Sequence, residues 1–205
     1  MKKLVATALL TAPLLALAGP VNLLGNGSFD NDTVSSGSWT VKSSTSGWTA
    51  DSNGLELRNG VAGTAFDGSN FAELDGYANS SISQTISTVI GQWYLLSFEY
   101  SNRMGTDPAT NGLAWSFGNA SGAAPDLAKN TSSDNDWQLY STTVQATSTQ
   151  TTLKIWATGT SDSYGSSLDD VSLTAVSSVP EPQTLALFAA GFAAMGFAAR
   201  RRQAK

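Results

Sequence analysis

The sequence contains no cysteine and no histidine. Without cysteine the fold has no disulfide, so it must be held by its core, by sheet hydrogen bonds or by a metal. Without histidine it lacks the commonest general base and the commonest transition-metal ligand. No nucleophile activated by histidine can therefore be built. The glycine-rich stretches are not followed by Lys-Ser or Lys-Thr, so phosphate binding has no support either.

Basic residues are also scarce in the middle of the chain. Six of the eleven lie in the two terminal segments, whereas all sixteen acidic residues lie between Asp30 and Glu181. Residues 19–182 therefore carry five positive against sixteen negative charges. A surface of this sign repels nucleic acid and anionic lipid, so nucleic acid is excluded as a partner. Neutral sugars and divalent cations are the partners that it favours.

Residues 1–18 have the pattern of a secretory signal peptide. Lys2 and Lys3 precede an apolar stretch over residues 4–17, and the small-x-small triplet at residues 16–18 is typical of a cleavage site. The pattern predicts cleavage before Gly19 and export of the following domain, residues 19–176.

The other end of the chain predicts a membrane segment. A linker over residues 177–182 ends in the tripeptide Pro180, Glu181 and Pro182, which cannot join a helix or a central strand. In the sorting segment, residues 183–205, the apolar run 184–199 would rise roughly 24 Å as a helix. A hydrocarbon core is about 30 Å thick, so this span is short.

Three arginines, Arg200, Arg201 and Arg202, follow the apolar run and would stay on the cytoplasmic side. The order of tripeptide, short span and arginines resembles the PEP-CTERM sorting signal of Gram-negative bacteria that make exopolysaccharide. The resemblance implies recognition by an exosortase, cleavage near the tripeptide and only a transient stay in the inner membrane. The alternative is an ordinary C-terminal membrane anchor.

Short aromatic and β-branched runs alternate with turn residues between the two ends. This spacing predicts an all-β fold, an antiparallel β-sandwich of the jelly-roll type. The clearest strand covers residues 92–101, where Tyr94, Leu96, Phe98 and Tyr100 share the face expected to enter the core. Residues 118–135 are predicted to be a long surface connection. The other predicted strands cover residues 23–29, 39–42, 55–57, 70–75, 80–86, 112–117, 137–145, 151–157 and 167–176, with a turn at 76–79 that pairs its two neighbours.

Four segments in order, NLLGNGSFD, NFAELDG, SISQTISTVIGQWYLLSFEYSNR and SSLDDVSLTAV, resemble galactose-binding-like jelly rolls. This group includes carbohydrate-binding modules and the related DUF642 domains. The resemblance implies a structural calcium ion in many members, with Asp170 meeting the segment that begins at Asn26. Asp51 or Glu56 would supply a further carboxylate, since calcium takes six to eight oxygen ligands. The alternative is that Asp170 only hydrogen-bonds nearby backbone.

Four residues are candidates for touching a glycan: Trp156, Tyr164, Arg103 and Asp75. A tryptophan or tyrosine ring stacks on a sugar, and an arginine binds hydroxyl groups or pairs with a carboxylate. Most of the six tryptophans are expected in the core, with Trp156 as the exception.

Glu73 and Asp75 share one strand face, and close carboxylates of this kind serve glycosidases. A solvated strand face is the favoured interpretation of this pair.

Together these patterns predict a non-catalytic exported protein of the cell surface or extracellular matrix that binds or organises exopolysaccharide. Two alternatives remain. One is a purely structural biofilm or surface protein without a sugar site, and the other is a glycan-active enzyme that uses Glu73 and Asp75.

Overall fold

The computed structural model describes residues 21–176. The predicted signal peptide, the Pro180–Pro182 linker motif and the sorting segment with its arginines lie outside the described residues. Within residues 21–176, no helix is long and apolar enough to span a membrane.

Eleven strands form two antiparallel sheets, as the spacing of aromatic and turn residues predicts. The six-stranded sheet has the order β1-β3-β4-β11-β6-β9, and the five-stranded sheet has the order β2-β5-β10-β7-β8. The strands in chain order are β1 (Ser38–Lys42), β2 (Thr49–Ala50), β3 (Leu55–Asn59), β4 (Phe71–Glu73), β5 (Ser81–Ser87), β6 (Trp93–Ser101), β7 (Leu113–Phe117), β8 (Ala120–Ala123), β9 (Gln138–Gln145), β10 (Gln150–Ala157) and β11 (Ser167–Ala175).

The core lies between the two sheets, because alternate residues of each strand point inward. In β6 the inward residues are Tyr94, Leu96, Phe98 and Tyr100, all buried, which confirms the prediction for this strand. Ile82, Leu153, Ile155 and Phe117 meet them from the five-stranded sheet, among other residues of one continuous cluster.

Three predictions about local structure are wrong. Residues 23–29 form turns and bends instead of a strand, and only Asn22 makes a bridge to β11 in this segment. The turn at 76–79 does not pair its neighbours, because β4 and β5 belong to different sheets and the chain crosses between them there. Part of the supposed connection 118–135 is β8, which pairs with β7.

The tryptophans also differ from expectation. Only Trp48 and Trp115 are buried in the core, whereas Trp39 and Trp93 are about half exposed. Trp137 lies edge-on against Phe71, with ring centroids 5.9 Å apart, on the outer face of the six-stranded sheet. Loops therefore cover part of that outer face and create a second buried region.

Different loops meet at the two ends of the sandwich. At the end where the described chain stops, here called the exit end, the turns 88–92 and 146–149 meet the end of β11. The contacts are hydrogen bonds from Gly91 N to Ala146 O and from Val176 N to Trp93 O, both 2.8–2.9 Å. At the opposite, distal end, the loops 102–112 and 158–166 are joined by Thr160 N to Ala109 O at 2.8 Å.

Candidate functional site

A chain of alternating charges lies on the outer face of the six-stranded sheet. Arg58 Nε donates to Glu56 Oε1 at 2.5 Å, and Arg58 Nη1 pairs with Glu73. Arg103 Nη1 donates to Glu73 Oε2 at 3.1 Å from the other side. The array places two acidic side chains beside two basic ones, so each buried ionisable group has a partner. The register of β1, β3 and β4 produces this arrangement because Glu56 lies directly opposite Glu73.

Glu73 is the centre of the array. Its side chain is fully buried, and besides the two arginines it accepts a hydrogen bond from Gly165 N at 3.0 Å. Burial raises the pKa of the Glu73 carboxyl to about 8, although the guanidinium groups of Arg58 and Arg103 act in the opposite direction. A solvated strand face was the favoured interpretation of Glu73 and Asp75, and it is wrong, since neither side chain reaches solvent.

Arg103 connects the buried array to an exposed ring. Its guanidinium carbon lies 4.7 Å from the centroid of the Tyr164 ring, within the distance of a cation–π interaction. The Tyr164 side chain is 46% exposed, so the part of the ring away from Arg103 faces solvent.

The loop that carries Tyr164 is anchored from below. Asp75 Oδ2 accepts a hydrogen bond from Asp162 N at 3.0 Å, and Asp162 Oδ1 accepts one from Tyr164 N at 3.2 Å. Gly165 packs so closely on Asp75 that an added Cβ would lie 3.0 Å from the Asp75 Cβ. Burial raises the pKa of Asp75, whose Oδ1 has no hydrogen-bond partner among the described residues. Asp75 therefore positions the tyrosine from beneath the loop and does not itself reach a ligand.

Both arginines, Glu56 and the Asp162–Tyr164 turn line an open cleft of about 270 Å³ near the distal end. Its walls include two exposed aromatic side chains, Trp39 of β1 and Tyr164, and its floor includes Arg58 and Arg103. Trp39 lies on the same face as Arg58 because the two residues are directly opposite each other in the β1–β3 pair. We call this site the Tyr164 cleft, defined by Trp39, Glu56, Arg58, Arg103 and Tyr164.

The structure brings together three of the four residues predicted to touch a glycan. Arg103 and Tyr164 line the cleft and Asp75 holds the Tyr164 loop from beneath, although the three are far apart in the sequence. Trp156 lies on β10 of the other sheet, where Lys154 Nζ is 5.9 Å from its ring centroid. Sequence reasoning missed Trp39, since the alternation of β1 does not show which of its faces loops leave open.

The residues predicted to bind calcium make separate sets of hydrogen bonds in the structure. Asp51 uses its two carboxylate oxygens for Asn53 N and Ser81 Oγ, beside the five-stranded sheet. The amide of Asn26 bonds Asn31 N and Asp32, and the Asp170 side chain is exposed on β11. Within residues 21–176, no group of three or more acidic side chains is placed to hold a metal ion.

Asp169, the neighbour of Asp170, is the buried member of the Asp-Asp pair. Its Oδ2 accepts hydrogen bonds from Phe66 N and Asp67 N at 2.8 and 3.1 Å, so it fastens the 60–70 loop to β11. Burial raises the pKa of the Asp169 carboxyl to about 7. The predicted contact between β11 and the segment after Asn26 is present, but it is made by backbone, from Val171 N to Gly27 O at 3.0 Å.

Several solved structures are similar to this chain at low sequence identity. The carbohydrate-binding module TmCBM61 in complex with β-1,4-galactotriose has 13% identity and a TM-score of 0.49, over 76% of this chain and 99% of that chain. A CBM35 from Paenibacillus barcinonensis has 20% identity and a TM-score of 0.43, over 68% and 99%. The arabinose-bound MgGH51 α-L-arabinofuranosidase has 11% identity and a TM-score of 0.50, over 75% of this chain but only 26% of the enzyme. No curated protein matches the chain in sequence.

Two family models match the sequence. One is described as a PEP-CTERM protein-sorting motif and matches residues 178–202, which confirms the resemblance of the C-terminal segment. This motif indicates sorting by an exosortase, and with it export to a surface or extracellular destination. The other is described as a protein of unknown function (DUF642) and matches residues 22–174, nearly the whole described domain. The chain therefore belongs to the DUF642 family and carries a PEP-CTERM sorting motif behind its jelly-roll domain.

Proposed function

We propose that this protein is a non-catalytic glycan-binding protein that binds or organises exopolysaccharide through the Tyr164 cleft. A single observation carries the proposal: two exposed aromatic rings, Trp39 and Tyr164, line an open cleft with paired arginines at its floor. Aromatic faces stack on the C–H groups of a sugar ring, and guanidinium groups donate to its oxygens. Arg103 uses Nη1 for Glu73, which leaves Nε and Nη2 as further donors.

The size and charge of the cleft favour a short stretch of a sugar chain. A volume of about 270 Å³ with an open mouth accommodates one or two sugar rings of a longer polymer. The arginines of the floor are partnered by Glu56 and Glu73, and the rest of the domain is acidic, which favours neutral glycans over highly anionic ones.

Catalysis by Glu73 and Asp75 has little support from the geometry. A glycosidase needs two carboxyl groups that flank a bond in an accessible site. Glu73 is fully buried between two arginines, and Asp75 is fully buried beneath the Asp162–Tyr164 turn. Both carboxyl groups organise the cleft from behind its surface.

The two terminal segments determine the proposed export and sorting of the protein. The signal peptide over residues 1–18 directs export, the segment 183–205 holds the domain at the inner membrane, and an exosortase cleaves near Pro180–Pro182. The domain then reaches the cell surface or extracellular matrix. Deletion of residues 179–205 tests this part, and unchanged fractionation of the protein between membrane, surface and medium would contradict it.

A glycan array with residues 19–178 tests the binding part. The wild-type domain is expected to bind one class of polysaccharide, and Trp39→Ala and Tyr164→Ala are each expected to weaken binding about 5- to 150-fold, as loss of about 1–3 kcal/mol of aromatic contact would. Trp156→Ala on the other sheet is the matched control and should bind normally. A structural protein without a sugar site would bind nothing on the array or would be indifferent to all three substitutions.

A further inference from the structure

The exit end of the sandwich is unusually apolar for a protein surface. In the β5–β6 turn, Val89 and Ile90 are 66% and 63% exposed, and Trp93 next to it is 49% exposed. Leu95 and Val176 are exposed beside them. Trp93 and Val176 line a shallow groove with Thr143, and the backbone of Val176 bonds Trp93 in that groove. Clustered exposed apolar side chains of this kind mark a contact surface.

This end also carries no charge. Residues 21–176 contain fifteen acidic and five basic side chains, but none lies in the five segments that build or border the exit end. Contacts between these segments place them at the exit end. The 118–119 turn packs near Thr147 and Thr151, and Leu23 N donates a hydrogen bond to Leu173 O. The uncharged exit-end segments are residues 21–25, 83–96, 115–121, 142–152 and 172–176.

The chain leaves the described domain at this same end. Val176 closes β11 within the apolar groove, and Asn22 bridges Thr174, so both the N-terminal and the C-terminal segments depart here. Only six residues, 177–182, separate Val176 from the predicted membrane segment. Six residues reach at most about 20 Å even when fully extended. The linker therefore keeps the exit end within that distance of any bilayer that holds the sorting segment.

We propose that the exit end is a docking surface for the phospholipid bilayer, occupied while the sorting segment is still attached. This inference rests on the proposed role of the sorting segment, which holds the domain at the inner membrane. It concerns the folded domain itself and assigns Val89, Ile90 and Trp93 to the lipid interface. Tryptophan and aliphatic side chains favour that interface, where an apolar body meets lipid. The acidic remainder of the domain is repelled by anionic headgroups, so electrostatics turn the uncharged end toward the membrane.

This orientation has a consequence for the binding site. The Tyr164 cleft involves the loops 102–112 and 158–166 of the distal end, away from the exit end. A domain docked by its exit end presents the cleft away from the lipid. The Pro-Glu-Pro linker is then held close to the bilayer surface.

The absence of cysteine makes a direct test possible. Single cysteines in the full chain, at Ile90 in the exit end and at exposed Ala109 in the distal end, are labelled with an environment-sensitive dye. A third label at Ala190 reports on the sorting segment. The chain is reconstituted into phosphatidylcholine–phosphatidylglycerol vesicles whose acyl chains carry a nitroxide quencher.

Docking predicts several-fold stronger quenching at Ile90→Cys than at Ala109→Cys, with quenching at Ala190→Cys as well. A second variant, Val89→Cys with Ile90→Asp, should lose the quenching at position 89, because an aspartate in the contact opposes burial in lipid. If Ala190→Cys is quenched but Ile90→Cys is not, docking is overturned and membrane insertion of the tail stands. Protection of Ile90→Cys from a water-soluble quencher without quenching by lipid would overturn docking and assign the surface to a second copy of the chain. No quenching at Ala190→Cys would overturn both proposals.

Discussion

Replacing Arg103 with alanine tests whether the charged array behind the cleft is a structural unit. Arg103 donates to Glu73 at 3.1 Å and lies 4.7 Å from the Tyr164 ring centroid. A charge-assisted hydrogen bond contributes about 1.5–3 kcal/mol, and a cation–π contact contributes about 0.5–1 kcal/mol. We therefore expect Arg103→Ala to lower the free energy of unfolding by about 2–4 kcal/mol, and the melting temperature of a domain of this size by roughly 5–15 °C.

The assay is urea unfolding of residues 19–178, followed by tryptophan fluorescence. Lys154→Ala is the matched control, since Lys154 also lies beside an aromatic ring, that of Trp156, but is exposed. Lys154→Ala is expected to lower the free energy of unfolding by less than about 1 kcal/mol. Arg103→Lys keeps the positive charge but loses the planar guanidinium group, so an intermediate loss of stability is expected. An Arg103→Ala domain as stable as the Lys154→Ala domain would refute the reasoning.

Three further predictions concern the rest of the domain. The raised pKa values of Glu73 and Asp169, about 8 and about 7, mean that the native state binds more protons than the unfolded state between about pH 4 and 8. Stability should therefore fall as the pH rises through this range, by at most about 1.4 kcal/mol per pH unit per group, and a urea midpoint that is higher at pH 8 than at pH 5 would be inconsistent with it. Gly27→Ala should lower the free energy of unfolding by about 1–3 kcal/mol, because the added Cβ would lie 2.1 Å from Val171 O. Gly25→Ala is the control and should be tolerated, since its Cβ would lie 3.7 Å from the nearest atom. Equal melting temperatures of the two variants would argue against the close backbone contact at Gly27. Melting with calcium and with a chelator tests the calcium site that the resemblance implies at Asp170 and the Asn26 segment: a bound ion would raise the melting temperature, and equal melting temperatures would contradict the site.

Strong local patterns made the two-sheet architecture predictable. The alternation of Tyr94, Leu96, Phe98 and Tyr100 identified both a strand and its core face, because the period of two is a local property. Pairing is not local. The turn at 76–79 has the same residues whether it joins a hairpin or a crossover, and the small side chains of β8 carry no strand signal of their own.

The candidate site was only partly predictable for the same reason. Arg103 and Tyr164 stood out as a rare cation and a loop aromatic, and the structure places them in contact. The burial of Glu73 could not be foreseen, since it depends on two arginines and a glycine amide from distant segments. Trp39 was overlooked because its exposure depends on which face the loops leave uncovered.

Nuclear magnetic resonance of residues 19–178 during titration with soluble polysaccharides tests the central claim most directly. The six tryptophan side chains give separate indole N–H signals, so each ring reports its own surroundings. A bound glycan is predicted to shift the signal of Trp39 and the backbone signals around Tyr164, while the signal of Trp156 stays in place. Shifts at Trp156 alone, or none with any neutral or acidic polysaccharide, would contradict glycan binding at the Tyr164 cleft.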